Sequence, residues 1–111
     1  MFSVESQGAV DVIKPFVSLD LENVPEFSET VEAGLSAGQP MVVFDMSEVP
    51  LIDSAGLESL LDVQDSLQNR GGELKLAAAT QLCKEILRVT SVDQHFDSYD
   101  EVKTAVGSFV Q

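Results

Sequence analysis

The sequence predicts a single α/β domain over residues 1–111, with a mixed, largely parallel sheet of four to five strands packed with about four helices. Three observations carry this. Two short apolar runs, "MVVFDM" and "ELKLAA", read as strands buried on both faces, the mark of a parallel sheet. Stretches with apolar residues at helical spacing alternate with them, as in strand–helix–strand units. The chain has 111 residues, 44% of them hydrophobic and 6% aromatic, which suits one compact core and not a disordered tract.

Taken in order, "FSVES" and "AVDVIKPF" flank Gln7-Gly8 and alternate loosely, which predicts a hairpin with a short turn. Pro15 has no N–H for a ladder, so the second strand ends there or lies at an edge. Val24, Phe27, Val31 and Leu35 recur at helical spacing, Pro25 is tolerable in a first turn, and Asn23 with Glu26 resembles a capping box. "GLSAGQP" stops that helix. After "MVVFDM", the positions Leu57, Leu60, Leu61 and Leu67 form one face of an amphipathic helix, with Glu58, Asp62 and Asp65 on another. Gly71-Gly72 supplies its C-terminal stop. Beyond "ELKLAA", Thr80 can cap a helix with Leu82, Ile86 and Val89 inward. "SYDE" reads as a Ser-x-x-Glu capping box that opens a last helix with Val102, Ala105, Val106 and Phe109 inward.

Charge and composition narrow the function classes. Net charge is −13, unevenly spread: residues 1–69 hold 13 acidic groups and one basic, whereas residues 70–111 hold six acidic and five basic. Such a front half repels phosphate backbones and anionic lipid, so direct nucleic-acid binding is not expected; attraction to a basic partner surface is. No apolar run approaches the roughly 20 residues of a membrane span. No basic-then-apolar leader opens the chain. A cytoplasmic location without membrane insertion is the expectation. Cys83 is the sole cysteine and His95 the sole histidine, so no disulfide and no zinc set is expected; Cys83 reads as a small buried hydrophobe. No Gly-rich phosphate loop is present, and no cofactor is expected.

One short stretch asks for chemistry. In "DSAGL", Ser54 stands at the start of a helix, just past the carboxyl end of a buried strand, where open α/β sheets meet ligands and partners. Either Asp53 or Ser54 can cap the helix. A nucleophilic elbow needs Gly two residues before the serine as well as two after; here Ile52 precedes and only Gly56 follows, and the only possible base is His95. A third reading is a modification site: a helix N-terminus can hold a phosphate, and Ala55 and Gly56 leave the hydroxyl open to a visiting kinase.

The segments "MVVFDMSEVPLIDSAGLESLLDVQDSLQNRGGELKLA" and "LCKEILRVTSVDQHFDSYDEVKTAV" resemble the STAS domain of bacterial anti-sigma factor antagonists, a likeness that runs from about Ala9 to Val106. It implies a STAS-like fold and a binding module, not an enzyme. In that family a serine kinase that doubles as an anti-sigma factor phosphorylates the motif serine; the unmodified antagonist binds the kinase and frees the sigma factor, and a metal-dependent serine phosphatase reverses the step. Carried over, Ser54 is the phosphosite, Asp53, Ala55 and Gly56 its immediate docking surface, and Asp20 the acidic residue beside it. Glu58, one turn further on, is added as a rim contact to a basic partner. The sequence departs from the family where Val17 and Ser91 stand at positions often held by Gly. Other stand-alone STAS domains serve as structural subunits of lipid-transport ATPases or signalling assemblies, and there Ser54 would be a helix cap that never carries phosphate.

Overall fold

A computed structural model of the chain describes residues 1–34 and 38–110. Its order is β1 (Phe2–Gln7), β2 (Val10–Pro15), α1 (Val24–Gly34), β3 (Met41–Asp45), α2 (Ser54–Asn69), β4 (Glu73–Ala77), α3 (Gln81–Val89), a 3-10 turn (Val92–His95), β5 (Ser98–Tyr99) and α4 (Val102–Ser108). The five strands lie side by side in chain order. The hairpin pairs β1 antiparallel to β2, with Phe2 opposite Pro15, and the remaining pairs are parallel. Pro15 therefore ends its strand, as its missing N–H requires.

Two-residue periodicity along the strands divides the core. Val42, Phe44, Leu74 and Leu76 face one layer, where they meet Phe27 and Val31 of α1, Leu60, Val63 and Leu67 of α2, and Cys83 and Leu87 of α3. Val10, Val12, Val43 and Ala77 face the other layer and are covered by α4 through Ala105, Val102 and Val106, and by Phe109 just beyond it. Lys75, inside the apolar run of β4, is buried on the α4 side; its ammonium donates to Ser108 Oγ (2.7 Å) and lies 4.2 Å from the Phe109 ring centroid. The Gly71-Gly72 stop of α2 is a Schellman motif. Gly71 takes φ +77°, its N–H donates to the Gln68 carbonyl at 3.0 Å, and the Gly72 N–H donates to that of Leu67 at 2.8 Å.

Three local expectations fail for identifiable reasons. Asn23 precedes α1 but does not cap it: its side-chain amide donates to the Ser18 carbonyl (3.0 Å) and to Asp20 Oδ1 (3.0 Å), so it serves the loop instead. In α3, Leu82 and Val89 point outward and Cys83 and Leu87 fill the buried stripe. The Ser-x-x-Glu box is not formed. Ser98 lies in β5, because the Leu76 and Ala78 N–H groups need acceptors there and find them in the Asp97 (3.0 Å) and Tyr99 (2.9 Å) carbonyls; α4 begins only after Glu101. Leu35, expected on the apolar face of α1, lies outside the described residues. By contrast Thr80 caps α3, its Oγ1 accepting from the Cys83 N–H at 3.2 Å.

Candidate functional site

The loops after β2 and β3 run alongside one another and hold the start of α2 between them. Leu19 and Ile52 form a parallel bridge. The Leu19 N–H donates to the Leu51 carbonyl (3.0 Å), and the Asp53 N–H donates to the Leu19 carbonyl (3.2 Å). This register sets Asp20 and Asp53, the next residue on each side, next to one another at the carboxyl edge of the sheet. Leu19 and Ile52 are buried beneath them, so the acidic pair stands on a fixed apolar base.

Asp53 settles the competition for the helix cap. Its Oδ1 accepts from the Gly56 N–H (2.9 Å), and its Oδ2 accepts from the Leu21 N–H of the neighbouring loop (3.1 Å). One carboxylate thus caps α2 and locks the two loops together. Ser54 is left as the first helical residue, exposed, and among the described residues its hydroxyl has no hydrogen-bond partner. Its hydroxyl is therefore neither recruited for capping nor covered.

The other expected residues take different places. Asp20 is half-buried, and its Oδ1 accepts from the Asn23 N–H (3.1 Å) and side-chain amide (3.0 Å), which shapes the turn into α1. Ala55 is half-buried and Glu58 exposed. Gly56, expected as part of the docking surface, is buried: a Cβ there would stand 2.0 Å from the Leu19 carbonyl oxygen. It shapes the site from beneath by letting the β2–α1 loop lie directly on the helix.

Ser54 and His95 do not form a hydrolytic pair. Gln64 binds the His95 carbonyl (3.0 Å), so His95 belongs to a point ten residues along α2 from Ser54, about 15 Å by helical rise. Nucleophile and base need hydrogen-bond reach. Gln64 was not singled out from the sequence. Its side chain accepts from the Leu74 N–H (2.8 Å) and donates to the Leu74 carbonyl (3.0 Å), standing in for the strand that the two-residue β5 does not extend far enough to provide. Cys83 is fully buried and its Sγ donates to the Val49 carbonyl (3.3 Å); burial pushes its thiol up, partly offset by the hydrogen bond with Thr80. It tethers α3 to the loop that carries "DSAGL" and is chemically quiet. Among the described residues no helix is long and apolar enough to cross a membrane.

Sequence periodicity also missed an apolar rim. Phe16, Leu21, Leu51 and Leu82 are exposed, Leu21 by 73% and Leu82 by 54%. Each follows a parallel strand, so all four lie along the sheet edge that carries Ser54. The Leu82 that fails as a core residue is part of this rim. Scattered apolar residues are ordinary on a surface, but four on one edge, interleaved with acids, have the make-up of a contact face.

Comparison with known proteins adds the following. The sequence pattern of the STAS domain family matches residues 1–105. Three similar solved structures are a candidate anti-sigma factor antagonist from Thermotoga maritima (21% identity, TM-score 0.90, covering 99% of this chain and 95% of that one), an anti-sigma-factor antagonist (STAS) domain protein from Planctomyces limnophilus (23%, 0.89, 99% and 98%), and an anti-sigma factor antagonist from Mycobacterium paratuberculosis (22%, 0.88, 100% and 94%). At these identities the likeness establishes a shared fold.

Proposed function

Because this chain belongs to the STAS domain family, we propose that it is an anti-sigma factor antagonist in a phosphorylation-controlled partner switch. In its unmodified form it binds a serine-kinase anti-sigma factor and so frees the sigma factor; phosphorylation of Ser54 blocks that binding, and a metal-dependent serine phosphatase restores it. On this reading the protein is a cytoplasmic binding module and its partners do the chemistry. The observation that carries the reading is the exposed, uncapped Ser54 hydroxyl, left so because Asp53 takes the cap. The alternative of a structural subunit in which Ser54 serves as a cap is less well supported, since that role is already filled.

The mechanism of blocking is the bulk and the desolvation cost of the new charge at the contact, more than long-range repulsion. A phosphoryl group adds roughly −1.5 to −2 charges near neutral pH. On a face that already carries Asp20, Asp53 and Glu58, that alone would strengthen attraction for a basic partner. The ester nevertheless occupies the volume where the partner met a small hydroxyl. Closing the interface over it would strip water from a dianion, at a cost of several kcal/mol unless new donors meet it.

The test is capture of the kinase on immobilised Ser54→Ala and Ser54→Asp proteins, with mass spectrometry of Ser54 in the wild type after incubation with kinase and ATP. Phosphate on Ser54, retention by Ser54→Ala and loss by Ser54→Asp are expected. Equal capture by the two variants, or phosphate elsewhere with none at Ser54, refutes the switch.

A further inference from the structure

A groove of about 260 Å³ opens between α1 and α2 next to Ser54, and Leu21, Val24 and Ser28 meet Glu58, Ser59 and Asp62 across it. Two independent features of this groove are unexplained by folding alone. Ser59 is 5% exposed, and its Oγ is the one buried side-chain polar atom among the described residues that has no hydrogen-bond partner. A buried hydroxyl left unpaired costs stability, and native proteins seldom keep one unless something bonds it. Glu58 and Asp62 lie four apart on the same helix face, a spacing at which like charges repel, and no described ion pair engages either one.

Both costs vanish with one kind of occupant. It must bring an alkyl stem to lie against Leu21 and Val24, and several donors on one cationic head to serve two carboxylates and the Ser59 hydroxyl, which lies just beneath the groove floor and turns about χ1 to meet it. A guanidinium meets this better than an ammonium, since its donors are spread over a planar fork. We propose that the groove is a receptor for an arginine side chain of the partner protein that docks at Ser54. The source of the arginine rests on the docking role of that edge. The selectivity of the groove does not, and the Glu58 contact to a basic partner gains a defined shape.

The test uses n-butylguanidinium as the probe in a ¹⁵N–¹H NMR titration of the wild-type protein. Saturable shifts are expected at the amides of Val24, Ser28, Ala55 and Ser59, with Kd on the order of 10 mM for so small a ligand. Glu58→Gln with Asp62→Asn should abolish the titration. Ser59→Ala should raise Kd about fivefold, the loss of one hydrogen bond, while thermal stability stays level or rises; a purely structural serine would leave Kd unchanged. Ser54→Asp should bind the probe at least as tightly as the wild type does, so a failed phosphorylation switch and a failed groove are separate results. Equal shifts with n-butanol, shifts that survive in the double variant, or no shifts at all overturn the proposal.

Discussion

Gly56→Ala tests the seating of α2 directly. An added Cβ would stand 2.0 Å from the Leu19 carbonyl oxygen and 2.8 Å from Ile52 Cγ2. An ordinary carbon–oxygen contact is about 3.3 Å, so the loop must retreat by roughly 1.3 Å. That retreat breaks or weakens the Leu19–Leu51 and Asp53–Leu19 backbone bonds and the Leu21 bond to Asp53. At about 1 kcal/mol each these sum to roughly 3 kcal/mol, offset by about 0.5–1 kcal/mol for replacing Gly by Ala in a helix. The net loss of about 2–2.5 kcal/mol is read in urea denaturation followed by circular dichroism. With a slope near 1.5 kcal/mol per M, the midpoint should fall by about 1.5 M. The same substitution at Gly107 of α4, where an added Cβ meets nothing within 4 Å, should raise stability by about 0.5–1 kcal/mol. Opposite signs at the two glycines are required. A Gly56→Ala protein within about 0.5 kcal/mol of wild type would refute the claim that α2 is seated on the Leu19 carbonyl.

Two further outcomes follow from single residues. Ser91 takes φ +61° at the start of the 3-10 turn, a left-handed conformation that strains a residue with a Cβ; Ser91→Gly should raise the melting temperature by about 3–5 °C, and an unchanged or lower value contradicts that strain. Glu73 has its carboxyl pushed up, chiefly by burial and further by the neighbouring Asp97, against the lowering effect of Lys75. A raised carboxyl binds its proton more tightly when folded, so this group's contribution to stability rises as pH falls through the folded value and levels off below the unfolded one. Glu73→Gln should therefore be more stable than wild type at pH 7, with the advantage shrinking toward acid; denaturation curves at both pH values decide it, and an advantage that grows in acid refutes it.

Much of this protein is fixed by local pattern. Continuous apolar runs define β3 and β4, helical spacing defines α2, and the Gly71-Gly72 stop and the Thr80 cap act within a few residues of themselves. Such features depend on period and on short-range hydrogen bonding, which the order of residues specifies. The acidic front half and the prominence of "DSAGL" are likewise visible before any folding. What folding alone decided are the outcomes of competition between distant groups. Asp53 wins the cap over Ser54 partly because its second oxygen can also bind Leu21, 32 residues away. Ser98 abandons a locally adequate capping box because β4 needs carbonyls beside it. Leu82 turns outward because Cys83, not Leu82, faces Val49. In each case a backbone or side-chain group from elsewhere in the chain makes a demand that no nearby residue reveals. The exposure of the Ser54 hydroxyl, on which the proposed function depends, is therefore a property of the assembled sheet edge and not of the motif.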